Sequence, residues 1–157
     1  MLSHIDKDGN AKMVDISEKN NSERLARASG FIELNNETIR LVETGALKKG
    51  DVLTVAKIAA IQASKKTSSL IPLCHNINLD SINIEFGISN KENKIYCKST
   101  VGCLGKTGVE MEALTAVSIA LLTIYDMCKA SDKNMVISEI KLIEKHGGKS
   151  GVWMSKD

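Results

Sequence analysis

Aromatic residues are scarce in this chain: two phenylalanines, two tyrosines and one tryptophan make up 3% of 157 residues. A sheet that reads RNA stacks bases on aromatic side chains of its central strands. Here Phe86 and Tyr96 stand isolated, and no K/R-G-F/Y-G/A-F-V-x-F/Y run exists. Charge of one sign is lacking too, because the formal net charge is only +2, too small for a general nucleic-acid or membrane-surface binder. Long apolar runs are missing: Ala116 to Ile124 is broken by Ser118 and Thr123 and is too short to span a bilayer. The opening Met1-Leu-Ser-His-Ile-Asp-Lys-Asp8 is polar from the start, so no secretory leader is expected. The four cysteines, Cys74, Cys97, Cys103 and Cys128, contain no C-x-x-C pair. Their density is far below that of a disulfide scaffold, which points to reduced thiols in a cytoplasmic protein. Internal repeats and low-complexity segments are absent as well.

What is present suits one soluble domain with a sizeable core: 43% hydrophobic and 25% charged residues. Residues 1–22 are polar and read as a mobile arm, ordered at most around Met13-Val-Asp-Ile16. Residues 23–151 form the expected domain and 152–157 a tail. A strand is expected over Arg24–Leu34, then a short helix over Glu37–Glu43 stopped by Gly45. A second helix starts at Asp51, a good N-cap, with Val52, Val55, Ala56, Ala59, Ala60 and Ala63 as its apolar face and Lys65-Lys66 at its C-terminus. The loop around Pro72, the only proline, leads to an alternating strand over Leu79–Ile88. Asn90–Asn93 is a hairpin turn, Lys94–Val101 the return strand, Gly102–Gly108 a glycine-bearing loop and Met135–Ile143 a last strand. This order is the split βαβ, ferredoxin-like βαββαβ pattern of the α+β class, one antiparallel sheet with helices packed on one face. The open face must be solvated or covered by another copy.

The stretch from Thr107 to Lys129 reads as one helix, apolar nearly all round, and such a helix is buried. It nevertheless carries Glu110 and Glu112 at its start and Asp126 and Lys129 at its end. Charges on a buried helix are costly unless paired or used. Glu112 and Asp126 are fourteen positions apart, within about 40° of one face but about 21 Å apart along the axis. Either they serve different jobs or a second copy of the chain brings the missing end to a shared site. The plainer alternative is that the glutamates complement the helix dipole and that Asp126 and Lys129 form an ordinary i,i+3 pair.

Three further groups draw attention. Cys74-His75 could suggest zinc or a nucleophile–base pair, but His4 and His146 are remote in sequence and a metal site needs three or four ligands. His75 as a ligand-binding or proton-carrying residue and His75 as a structural loop residue both stay open. Gly147-Gly-Lys-Ser-Gly151 is not a Walker A loop, because Ile143 stands where its first glycine belongs and no helix follows. It can still act as a flexible basic segment that reaches a phosphate. Lys48-Lys49, Lys65-Lys66, Lys129 and Lys145 sit at element ends that could converge on a polyanion such as a nucleoside triphosphate.

The chain resembles the cyclic pyranopterin monophosphate synthase family, which acts second in molybdenum cofactor biosynthesis. The likeness runs from about Met13 to Gly151. It rests on Met13-Val-Asp15, Lys49-Gly-Asp-Val52, Leu70-Ile-Pro-Leu-Cys-His75, Thr107-Gly-Val-Glu-Met-Glu-Ala-Leu-Thr-Ala116, Thr123-Ile-Tyr-Asp-Met-Cys-Lys-Ala130, Glu144-Lys145 and Gly147-Gly-Lys-Ser-Gly151. It implies a lyase that rearranges a cyclised dihydroguanosine triphosphate to cyclic pyranopterin monophosphate with loss of diphosphate. It implies Asp126 as the catalytic aspartate acting with Lys129, Lys49 as a catalytic support, and Leu73, Cys74, His75, Met111 and Glu112 against the substrate, with Glu110 and Lys145 beside them. It also implies a homohexamer, a trimer of dimers with interface active sites, no nucleic-acid or membrane partner, and no required cofactor, Mg²⁺ being compatible with the triphosphate. Asn76 departs from the proline usual after Cys-His in this family, which loosens the loop.

Overall fold

Alternating apolar residues along four segments build one antiparallel sheet. In the computed structural model, residues 5–149 and 151–156 are described. Met1–His4, Ser150 and Asp157, which belong to the expected arm, glycine segment and tail, lie outside the described residues. The elements are β1 (Ser22–Glu33), α1 (Asn36–Glu43), α2 (Val52–Lys65), α3 (Thr67–Leu70), β2 (Ser81–Ser89), β3 (Lys94–Gly105), α4 (Glu110–Cys128), β4 (Val136–His146) and β5 (Trp153–Met154). Strand order is β2-β3-β1-β4-β5, with every neighbouring pair antiparallel. The fold is α+β and ferredoxin-like.

Helix starts follow the caps. Asn35 accepts from the Thr38 amide at 2.8 Å and Asp51 from the Thr54 amide at 3.0 Å, each satisfying an amide left free in the first turn. The helix-side face of the sheet is built from Ala26, Ala28 and Ile32 of β1, Ile84 of β2, and Ile95, Cys97, Ser99 and Val101 of β3, all buried. Against it lie Ala113, Ala116, Val117, Ala120, Leu121 and Ile124 of α4, all fully buried. The one hydroxyl in this face, that of Ser99, donates to the Ala113 carbonyl at 2.8 Å, so the helix is tied to the sheet by a satisfied buried polar group. Among the described residues α4 is the one helix long and apolar enough to cross a membrane, and it is the core helix of this domain.

The strands are longer than their residue pattern suggests. β3 runs through Gly102 to Gly105 and β4 on to His146. Pairing with β1, in which Ser22 meets Gly105 and Leu25 meets His146, overrides the glycines that read as a loop. The expected tail supplies β5, which pairs Trp153 with Lys145 and Met154 with Glu144. Val55, expected on the apolar face of α2, is 42% exposed. α4 packs instead along the line of Val52, Ala56, Ala60 and Ala63. α4 itself is not wet-free: Met111 and Leu122 lie exposed.

Close approach of α4 to β1 depends on Gly30. A Cβ there would lie 3.0 Å from Ile140 Cγ1 and 3.1 Å from both Leu121 Cδ1 and Val117 Cγ1. Gly30→Val is therefore expected to lower the unfolding free energy by about 2–3 kcal/mol through overpacking, measured by urea denaturation.

Candidate functional site

α2 and α4 run antiparallel and are joined at both ends. The Ser64 hydroxyl donates to the Glu112 carbonyl at 3.1 Å, and the Lys49 ammonium, just ahead of α2, donates to the Asp126 carbonyl at 2.9 Å. This arrangement separates the charged residues into two groups, one at each terminus of α4.

At the C-terminal end, Asp126 holds one lysine on each carboxylate oxygen: Lys129 on Oδ1 at 2.7 Å and Lys49 on Oδ2 at 3.2 Å. The hydrogen bond from Lys129, followed by that from Lys49, lowers the Asp126 pKa below the usual carboxylate value. Asp126 in turn raises that of Lys129. The side chains are about half exposed. The cluster thus favours an ionised Asp126 and a protonated Lys129 side by side, able to accept a proton at one atom and donate one at another.

At the N-terminal end, Glu112 is 4% exposed, and no cation pairs with it among the described residues. Burial, and then the charge of Glu110, raises its pKa, the pattern of a carboxyl held ready to carry a proton. Burial, and then the Glu112 charge, push the Cys74 thiol up, which disfavours its thiolate. Burial takes Cys97 up to about 12 and Cys128 to about 11, so neither of these thiols is a nucleophile. Leu73 lies in the same loop, half-buried, and Met111 is 37% exposed on the first turn of α4. The His75 Nε2 lies 2.7 Å from the Val14 carbonyl, and because a carbonyl only accepts, Nε2 is the donor in this contact. The N-terminal arm is therefore fastened to the loop of Leu73–His75, and further on by Lys106, whose ammonium donates to the Ser17 carbonyl at 2.7 Å.

Beside these groups, Lys145 pairs with Glu110 at 2.8 Å, and both line a cavity of about 870 Å³. Its walls bring Lys19, Arg24, Lys106 and Lys149 toward the same space. It arises because β1, β3 and β4 all end here, so that loop 106–108 and the glycine segment after His146 face each other. Gly147 and Gly148 have φ of +100° and +74°, and a Cβ on either would strike the Glu23 carbonyl or the Arg24 guanidinium. Glycine there permits left-handed backbone and close passage over β1. The cavity wall and dipole of the α4 N-terminus suit an anion.

The single chain brings together Asp126, Lys49 and Lys129, and separately Glu110 with Lys145 and Glu112 with Cys74. It does not bring the two sets together, since α4 holds them about 21 Å apart. The lysines of the element ends do not all converge in one copy: Lys49 and Lys129 lie at one end and Lys145 at the other. Arg24, Lys106 and Lys19 escaped sequence reasoning because nothing in their local spacing marks them. The only available signal was that Gly105-Lys-Thr-Gly108 and Gly147-Gly-Lys149 are two glycine–lysine loops at strand ends. Among the described residues no group of three or more His, Cys, Asp or Glu could hold a metal ion.

Comparison with known proteins places these residues in a family context. Residues 13–148 match the MoaC family model. A cyclic pyranopterin monophosphate synthase of Thermoanaerobacter pseudethanolicus is 54% identical, covering 97% of this chain and 96% of the relative. Proteins of the same name are 55% identical in Clostridium perfringens, over 96% of this chain and 95% of the relative, and 51% identical in Heliobacterium modesticaldum, over 99% and 98%.

The buried Glu112 carboxyl links stability to pH. The folded chain binds this proton more tightly than the unfolded chain does. Stability therefore falls as pH rises from the ordinary glutamate range through the raised folded value, and stays lower above it. Glu112→Gln is expected to have a higher melting midpoint than the wild type at about pH 7 and no advantage at about pH 4, read by thermal unfolding followed by circular dichroism.

Proposed function

This chain belongs to the MoaC family, and from that premise we propose that Asp126, Lys129 and Lys49 of one copy work with the Glu112–Lys145 end of a neighbouring copy at one shared site. The chain is an enzyme of molybdenum cofactor biosynthesis, a lyase that forms cyclic pyranopterin monophosphate. Its substrate is a cyclised dihydroguanosine triphosphate, and diphosphate leaves. The observation that carries the assignment of residues is the pair of lysines on the Asp126 carboxylate.

Rearrangement of the cyclised nucleotide requires protons to be taken from some atoms and given to others. The Asp126 carboxylate, kept ionised by Lys129 and Lys49, is the acceptor, and Lys129, kept protonated by Asp126, is the donor. Glu112, whose pKa burial raises, is a second carboxyl for proton transfer on the other wall. His75 is a ligand-binding residue of the same wall, while Leu73, Cys74 and Met111 shape its apolar part. The polyphosphate occupies the basic cavity with Lys145, Arg24 and Lys106, which stabilise negative charge growing on the departing diphosphate. No resident cofactor is needed for this scheme. Mg²⁺ is compatible with the triphosphate.

The separation of about 21 Å along α4 is what calls for a second copy. Exposed Ile58 on α2 and Leu122 on α4, at 53% and 54%, are apolar surface that such a neighbour would cover. The assembly is a homohexamer, a trimer of dimers with its sites at interfaces, in the cytoplasm.

Asp126→Asn is expected to lower turnover by about 10²–10⁴-fold while leaving the melting midpoint unchanged, because the side chain is half exposed and outside the core. Product formation from the cyclised triphosphate, followed by chromatography, is the measurement. Mixing unfolded and refolded Asp126→Asn chains with Glu112→Gln chains should restore part of the activity, because some sites then receive both intact halves. Mixtures no more active than the separate variants would remove the shared site.

A further inference from the structure

The Glu110 carboxylate sits in a position that its own sequence neighbour makes possible. Glu110 is the first residue of α4, and its side chain turns back along the chain toward Gly108. A Cβ built on Gly108 would lie 2.7 Å from Glu110 Cδ and 2.8 Å from its Oε1, with Oε2 closer still. All the nearest atoms that such a Cβ meets belong to this one carboxyl group. The space that any other residue would fill with its side chain is occupied by a charge. From that seat Oε1 holds the Lys145 ammonium at 2.8 Å, with both side chains about one-third exposed or less. Gly108, Glu110 and Lys145 all line the basic cavity.

We infer that Gly108 is a positioning residue whose missing side chain seats the Glu110 carboxylate on Lys145, so that the cavity carries an internal counter-ion which an incoming polyphosphate must displace or tolerate. The inference rests on the reading of the cavity as the polyphosphate site. A carboxylate in contact with the lysine lowers the positive potential met by an anion and selects for ligands of high charge density. The seat is a local device, because the backbone at Gly108 lies outside the left-handed region that requires glycine. An alanine there meets only the end of one flexible side chain, so the fold tolerates it while the carboxylate must move.

The experiment is calorimetric titration of inorganic diphosphate into the full-length wild-type, Glu110→Gln, Gly108→Ala and doubly substituted proteins, with the melting midpoint of each measured alongside. Glu110→Gln should bind diphosphate about two- to fivefold tighter than the wild type, the worth of one partly exposed charge pair. Gly108→Ala should tighten binding in the same direction with its melting midpoint unchanged, and should have no further effect in the Glu110→Gln background. A merely structural injury would weaken binding and lower the midpoint. Wild-type affinity in Gly108→Ala, with tighter binding in Glu110→Gln, would overturn the role of Gly108. Unchanged or weaker binding in Glu110→Gln would overturn the counter-ion. A wild-type protein that binds no diphosphate would instead overturn the reading of the cavity on which the inference rests.

Discussion

The seating of α4 on the sheet is the constraint from which the remaining features follow. Ala113, Ala116, Val117, Ala120 and Leu121 are small or compact and fully buried, and Gly30 leaves the gap that Val117 and Leu121 enter. Close-packed interiors do not tolerate sliding or rotation of such an element. Once its middle is fixed, both termini are fixed as well, and the charges they carry project at defined places. Ser64 and Lys49 hold the antiparallel α2 to the same two ends.

The two ends offer opposite electrostatic environments. At the C-terminus, solvent and two ammonium groups favour the ionised form of Asp126. At the N-terminus, burial and a neighbouring carboxylate disfavour the ionised form of Glu112. Two carboxyl groups of one helix are thereby driven in opposite directions, the arrangement that lets acid and base chemistry coexist at one pH. The cations lie likewise in two sets: Lys49 and Lys129 serve the Asp126 carboxylate, whereas Lys145, paired with Glu110, lines the cavity with Arg24 and Lys106. A reaction that moves protons on a pterin and expels diphosphate is served by having both environments close together, which is the ground for proposing a site that takes one end of α4 from each of two copies.

Much of the fold was legible because local rules were obeyed. The alternation of Ile82, Ile84 and Phe86, the cap at Asp51, and the Ile95, Cys97, Ser99 and Val101 face all mark their elements. Strand ends were less legible. Gly102 and Gly105 resemble a loop in isolation and join β3 because Ser22–Leu25 lies alongside them and Ser81 of β2 pairs with Gly102. The site residues became visible through the resemblance of motifs such as Thr107–Ala116 and Thr123–Ala130 to a known family. Periodicity alone showed that Glu112 and Asp126 share a helix face at a distance, without assigning either a role. Arg24 and Lys106 belong to no such pattern, and their partnership in the cavity is a matter of strand register.

The amino-acid sequence by itself determined the βαββαβ order of the main elements, the apolar helix with charged ends, and the family. These depend on periodicities and motifs spanning a few turns or strands of contiguous chain. Only the tertiary structure decided that Asp126 is gripped by Lys49 as well as Lys129, that Cys74 shares the surroundings of Glu112, that the arm is fastened at His75, and that three strand ends enclose a basic cavity. Each of these joins residues far apart in the chain. Burial, the direction of a pKa shift and the sharing of a cavity are properties of distances through space, and they arise only after the helices have settled on the sheet.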